Sequence, residues 1–335
     1  MATIREVAKR AGVSTATVSR VMNQSEGIST ANRKLVNEAI MALKYSPFHN
    51  DANLVEQTIM AVVPNTISDF QSSIINSLQE EAANLNMELI IGVCHNNKEM
   101  LEKCICRLRK RAVQALIFLG SDMSAEQLNS LARDYPICLC GDYIEGTHFL
   151  SVVSDVYQST YEAITHLIQK GFTKIGMIST ITRVWSSIQK EAAYKKALAD
   201  HGIAFKPEYI LFNHFTKPCE DAFRYFEALP EPPNAIFAVS DYLASTLVMP
   251  IHNQGYELGV DYALLGFDNT VYSTLSHVPI STIAQNMQEI GQIAVQRIYA
   301  QLQNPRNTTR KVIVVPSQVI LRDSTGDFSG TQTLI

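Results

Sequence analysis

Thr3-Ile4-Arg5-Glu6-Val7-Ala8-Lys9-Arg10-Ala11-Gly12-Val13-Ser14-Thr15-Ala16-Thr17-Val18-Ser19-Arg20-Val21-Met22 reads as two short helices around a tight turn. The first runs near Thr3–Arg10 with Val7 and Ala8 facing inward, and Gly12 supplies the turn residue that tolerates a positive φ. Ser14 is a good N-cap for a second helix running through Met22. A third helix follows Ser29-Thr30 and is expected to carry Leu35, Val36, Ala39, Ile40 and Leu43 on one apolar stripe. At about 100° per residue, Thr15, Ala16 and Arg20 share one face of the second helix, with Val18 and Val21 on the buried side. An arginine can bond a guanine edge bidentately, and small neighbours let the helix approach, so these three are candidate base contacts. Ser14, Thr17, Ser19 and Asn23 are short donors suited to phosphates. A three-helix capping module that touches no DNA would show the same helices.

Charge separates this head from the remainder. Residues 1–45 hold seven basic side chains against three acidic ones, whereas the 335-residue chain as a whole carries −4. A small basic head on a large acidic body suits a nucleic-acid reader attached to another function. Hydrophobic residues make up 46% of the chain and charged ones 18%, enough to bury a sizeable core. No apolar run approaches the roughly 18 residues of a membrane helix, and charges stand where a signal peptide would be apolar. The expectation is a soluble, cytoplasmic protein with no membrane partner.

The six cysteines form no C-x-x-C pair and have no metal spacing to histidine, so buried thiols in a reducing compartment are expected, with no metal or cofactor. The chain has no G-x-S-x-G, Walker A or G-x-G-x-x-G motif, which counts against an enzyme.

Thr3–Ala8, Ala11–Ser14 and Thr17–Asn23, followed by Ser29, Arg33, Val36 and Tyr45-Ser46-Pro47, resemble the N-terminal signature of the lactose-repressor (LacI) family of bacterial regulators. The resemblance adds Ser29 and Tyr45 to the phosphate contacts. It also implies a hinge over residues 46–57 that folds on DNA, with Leu54 as the wedge entering the minor groove. Phe48 stands where the family has asparagine, and Asp51-Ala52 where it has alanine-arginine; an acidic side chain there weakens phosphate contacts.

Beyond Thr58, β-rich runs alternate with amphipathic stretches: Ile59–Val63, Met87–Val93, Gln114–Leu119, Pro136–Cys140, Lys174–Ser179, Asn234–Ser240 and Tyr262–Gly266. Such alternation gives doubly wound parallel sheets, with ligand clefts at the C-terminal ends of strands. Asp268 follows such a strand and could accept bonds from two ligand hydroxyls, or serve as a turn aspartate. Trp185, the single tryptophan, either borders the cleft or packs as the first apolar residue of a helix.

Gly266-Phe267-Asp268, Pro279, Ser281-Thr282-Ile283, Gln285 and Gly291 resemble the family's late signature. The resemblance implies two similar subdomains joined by three crossovers, placed near 158–162, 284–287 and 315–318. It also implies an effector site. Phe215 matches the family's aromatic platform, Lys190 stands where arginine is usual, and Ser186 where a small hydroxyl residue is common. Phe70, Gln71 and Gln285 are further candidates, each equally consistent with packing or exposed surface.

The expected fold is a small all-α helix-turn-helix head plus an α/β body of two doubly wound parallel-sheet subdomains of periplasmic-binding-protein type. The expected domains are 1–45 for DNA, 46–57 for the hinge and 58–335 for effector binding and dimerisation. The expected function is a transcriptional regulator, by family default a repressor, that binds a palindromic double-stranded DNA operator as a homodimer. A sugar or sugar derivative would control it. A regulator answering to a phosphorylated carrier protein, and an enzyme on the same scaffold, are the alternatives.

Overall fold

The computed structural model describes residues 4–22, 28–43, 57–64, 68–182, 184–214, 217–304, 312–326 and 333–334. The chain divides into two compact units, Met1–Val55 and Glu56–Ile335.

The first unit contains α1 (Ile4–Ala11), α2 (Thr15–Met22) and α3 (Thr30–Leu43). Gly12 sits at φ +66°, and the Val13 N–H donates to the Ala8 carbonyl at 3.1 Å, which closes α1. The Ser14 hydroxyl accepts from the Thr17 N–H at 3.1 Å, which opens α2. Val7, Ala8, Ala11, Val18, Val21, Val36 and Ala39 form the core. Leu35, expected on the apolar stripe, is instead 47% exposed. The buried stripe of α3 is Val36, Ala39, Ile40 and Leu43, and Leu35 lies one residue, about 100°, off it. The hinge expected over 46–57 lies outside the described residues except for Gln57, which already belongs to the first strand of the body.

The second unit opens with β1 (Gln57–Val63), α4 (Asp69–Asn84), β2 (Met87–Val93), α5 (Lys98–Arg109), β3 (Ala115–Phe118), α6 (Ala125–Asp134), β4 (Ile137–Cys140) and β5 (Leu150–Ser154). The chain then passes into α7 (Val156–Gln169), β6 (Ile175–Thr180), α8 (Trp185–Asp200), β7 (Ile210–Asn213), α9 (Glu220–Glu227), β8 (Ala235–Ala238), α10 (Asp241–Asn253), β9 (Ala263–Leu265), α11 (Val271–Leu275) and β10 (Thr282–Gln285). It ends with α12 (Met287–Gln303), β11 (Val312–Val315), β12 (Ser317–Ile320) and β13 (Thr333–Leu334).

One sheet runs β11-β5-β4-β3-β1-β2 with every neighbour parallel; a second runs β7-β6-β8-β9, also parallel. Burial on both faces explains why β3, β4, β8 and β9 are uninterrupted apolar runs. In the first subdomain α4 and α12 cover one face and α5 and α6 the other. The second subdomain has one continuous core, to which β6, β8, α7 and α10 all contribute.

The chain changes subdomain at Asp155, Asn286 and Pro316, between β5 and α7, β10 and α12, and β11 and β12. The first crossover thus lies before the expected 158–162, because Val156 at the start of α7 already packs in the second core. Asp155 and Asn286 are both side-chain N-caps, accepting from the N–H groups of Gln158 and Glu289, so two of the three links run straight into rigid helices. Among the described residues no helix is long and apolar enough to cross a membrane.

Candidate DNA-reading face and effector cleft

On α2 the side chains of Thr15, Ala16 and Arg20 are exposed, while Val18 and Val21 are buried against α1 and α3. Thr17 and Ser19 are half-buried, at the edge of that face. Ser14 and Ser29 are exposed, but each hydroxyl is an N-cap acceptor, Ser14 for Thr17 and Ser29 for the Asn32 N–H at 3.3 Å. Each hydroxyl anchors its helix through a lone pair and can donate its proton to a phosphate; that of Ser14 is also 2.9 Å from the Thr17 hydroxyl, with which it shares a hydrogen bond. Asn23, Tyr45 and Leu54 lie outside the described residues.

In the body, three predicted residues converge from three elements. Asp268, just after β9, is half-buried at φ +101°, a strained value for a non-glycine residue. Its N–H donates to the Ile283 carbonyl at 2.8 Å, continuing the sheet onto β10. From β10, the Gln285 amide donates to the Asp268 carboxylate at 2.6 Å. From α8, Lys190 is only 5% exposed. Its ammonium donates to the Val239 carbonyl at 3.1 Å and lies 3.4 Å from the centre of the Phe267 ring.

Burial dominates the titration of this group. It pushes Lys190 down to about 8, against the attraction of Asp268 and Asp241. It also pushes Asp268 up, against the pull of Lys190 and the Gln285 hydrogen bond, and Asp69 adds a repulsion in the same upward direction. Each partner is thus displaced toward its neutral form, so desolvation outweighs their mutual attraction. The repulsion also places Asp69, at the start of α4 in the first subdomain, within electrostatic reach of Asp268 in the second.

The opposite wall comes from the first subdomain. Phe70 packs over Gly141, where a Cβ atom would stand 3.1 Å from the ring. Asp142, half-buried, accepts the Tyr143 N–H at 2.8 Å, and burial raises its carboxyl to about 6. The Tyr143 ring then meets Trp185 edge-to-face at 5.7 Å. That contact joins the loop after β4 to the first residue of α8, so an aromatic pair bridges the two subdomains. Trp185 also packs on the second core, so it borders the cleft and opens its helix at once.

Gln71 does different work from that expected. It is the third residue of a capping box on α4: its amide oxygen accepts the Ser68 N–H at 3.1 Å, and its amide nitrogen donates to the Leu119 carbonyl at 3.3 Å. Both ends of the amide are committed to the fold. Ser186 is half-buried in the first turn of α8, and Phe215 lies outside the described residues.

Sequence reasoning passed over Tyr143, and it marked Asp69 and Asp241 only by their strand-end positions, within 66–71 and 240–241, without giving either a role. Tyr143 follows directly on Gly141-Asp142, which the strand-end rule already marks. Asp69 neighbours Phe70. Asp241, fully buried, accepts the Thr282 hydroxyl at 2.5 Å and the Thr270 N–H at 2.6 Å, and its carboxyl rises to about 7. It ties α10 to β10 and to the loop that carries Asp268. Arg322 reinforces the same loop, donating to the Ile280 carbonyl and to Asn269, each at 2.7 Å.

A helix-turn-helix head followed by a two-subdomain α/β body is also the architecture that comparison with known proteins finds. Residues 3–47 match the model for bacterial regulatory proteins of the lacI family, and residues 164–325 that for a periplasmic binding protein-like domain. The NTD biosynthesis operon regulator NtdR of Bacillus subtilis (strain 168) is 29% identical over 97% of this chain and 100% of its own length. The transcriptional repressor CytR of Escherichia coli (strain K12) is 28% identical over 97% and 96%. Among solved structures, the lac repressor dimer bound to operator and the anti-inducer ONPF superposes with TM-score 0.72 at 22% identity, over 97% of this chain and 99% of that one. The transcriptional regulator CelR in complex with cellobiose gives the same TM-score and identity over 97% and 100%. Over nearly its whole length the chain is thus similar to DNA-binding transcriptional regulators of the lacI family, and residues 3–47 match that family's own model.

Proposed function

We propose that this chain is a repressor that binds a palindromic operator as a homodimer and releases or tightens its hold when a small hydroxylated molecule, a sugar or sugar derivative, enters the cleft. Residues 1–45 read DNA, 46–57 form the hinge and 58–335 bind effector and the second subunit. Thr15, Ala16 and Arg20 contact bases; Ser14, Thr17, Ser19, Asn23, Ser29 and Tyr45 contact phosphates; Leu54 enters the minor groove. Phe70, Ser186, Lys190, Phe215, Asp268 and Gln285 hold the effector, with Tyr143 and Trp185 closing over it.

The observation that carries the effector reading is the Asp268–Gln285 pair at 2.6 Å above buried Lys190. Gln285 holds one carboxylate oxygen, leaving the other to accept ligand hydroxyls, and the aromatic walls suit the apolar face of a sugar ring. The repressor names of relatives such as CytR, and the cellobiose complex of the CelR neighbour, support the class. Isothermal titration with a panel of mono- and disaccharides tests it. One sugar should bind saturably to the wild type and roughly tenfold or more weakly to Asp268→Ala, since a charge-assisted hydrogen bond is lost. Absence of binding by the whole panel would refute the sugar assignment.

A further inference from the structure

A cavity of about 330 Å³ opens within the first subdomain, and its lining shares no residue with the effector set above. It sits where the sheet's connectivity reverses. β1 leads into α4 on one face, whereas its neighbour β3 leads into α6 on the other. Doubly wound sheets receive ligands at such a switch point, outside the C-terminal ends of the strands. Pro64 and Gly120, one residue past β1 and two past β3, both line the cavity.

Its floor is apolar: Val62, Cys94 and Ile105 are buried, and Leu101 half-buried. Glu102, also in the lining, is paired with Arg109 at 2.5 Å, and two further charges of opposite sign stand at the rim on different segments, Lys98 at the start of α5 and Asp122 on the loop before α6. Neither makes a side-chain hydrogen bond or ion pair among the described residues, although both are within the lining of one small cavity. The volume falls at the lower end of the about 300–1,000 Å³ typical of small-molecule sites.

From this arrangement we propose a second ligand site in the first subdomain, for a small zwitterion with an apolar side chain: a free α-amino acid of the leucine, isoleucine, methionine or phenylalanine type. The Lys98 ammonium takes the carboxylate, the Asp122 carboxylate takes the ammonium, and the side chain lies on Val62, Leu101 and Ile105. Occupancy would be felt by the effector cleft, because Gly120 lies between Pro64 and Asp142, within 4 Å of each measured from a Cβ position.

Calorimetric titration of the full chain with L-leucine, L-isoleucine, L-methionine and L-phenylalanine tests the site. At least one should bind saturably. Its amide, lacking the carboxylate, and its desamino acid, lacking the ammonium, should each bind roughly tenfold or more weakly, as should the amino acid to Lys98→Ala or Asp122→Ala. Leu101→Trp, which fills the cavity, should abolish binding, and Asp268→Ala should leave it unchanged. Should Leu101→Trp fail to fold by circular dichroism, the two surface substitutions decide. Absence of binding by all four amino acids, binding indifferent to Lys98 and Asp122, or binding lost in Asp268→Ala would each overturn the proposal; the last would place the ligand in the effector cleft.

Discussion

Arg20 and Trp185 bring the two functions of this chain down to single side chains. Arg20 stands exposed on α2 beside Thr15 and Ala16, with its charge free to enter a groove. Arg20→Ala should cost about 1–3 kcal/mol on the specific operator and relax base preference at one position per half-site, measured by anisotropy on specific and random duplexes at one salt concentration. Equal loss on both duplexes would make Arg20 a phosphate contact. Trp185, the only tryptophan, meets Tyr143 across the cleft, so effector binding should change its emission saturably. Tyr143→Ala should shift the resting spectrum, and Trp185→Phe should abolish the signal while calorimetric binding persists; an unchanged spectrum with a confirmed ligand would place the pair outside the response. At this scale the sequence left each body candidate with two uses, a ligand contact or a structural one. A lone acid after a strand, and a glutamine following Thr282-Ile283-Ala284, did converge at 2.6 Å. Gln71 was ambiguous because an amide serves a capping box as well as a ligand, and Ser68 three residues earlier was the signal of the box.

Elements pack here through a few close approaches that single substitutions can probe. α12 crosses α4 at Gly291, where a Cβ would fall 2.6 Å from the Ser77 hydroxyl and 3.1 Å from the Leu78 nitrogen. Gly291→Ala should therefore destabilise the body by about 1–3 kcal/mol in urea melts, an overpacking cost that outweighs the helix propensity gained. No loss would mean that α4 and α12 can part freely. Asp241 gives a pH test for the joint between α10, β10 and the Asp268 loop. Its folded carboxyl lies near 7, well above the ordinary carboxylate range, so the folded state binds the proton more tightly than the unfolded chain. Its contribution to stability is therefore fully present below about pH 4 and is lost as pH rises toward 7. Asp241→Asn should flatten that fall in a series of thermal melts, whatever its effect on absolute stability; an unaltered slope would assign the titration elsewhere. Six of the seven strands read from sequence carry apolar runs buried on both faces, whereas β2, at the sheet edge, was legible from its apolar content although Glu88 and Ile91 are exposed. β5, Leu150-Ser151-Val152-Val153-Ser154, escaped notice because two serines interrupt it, yet all five residues are buried. β7 and β11 escaped for the opposite reason: exposed Phe212, Val312 and Val314 leave them without the two-sided burial that marks a central strand.

For the whole molecule, the division of labour was legible in motif and charge together, since a +4 head on a −8 remainder suits a nucleic-acid reader attached to another function. The joints between subdomains were less visible, because a crossover is fixed by which core a residue such as Val156 joins rather than by local pattern. The proposed response to a ligand would pivot at the three links, Asp155, Asn286 and Pro316, and would change the spacing of Tyr143–Trp185 and Asp69–Asp268. A ligand alters DNA affinity only by favouring one arrangement over another, so the proposed control requires cleft and operator to be thermodynamically linked. The most direct test is operator affinity measured with and without a cleft ligand. A palindrome selected from a random duplex pool, labelled and titrated with the full chain, would be assayed alone and with saturating members of a saccharide panel beginning with cellobiose. One sugar should change the operator Kd by roughly fivefold or more, equivalent to about 1 kcal/mol of coupling, and Asp268→Ala should erase the change while leaving affinity without sugar intact. An operator Kd indifferent to every sugar that binds, or a response that survives in Asp268→Ala, would contradict control through this cleft.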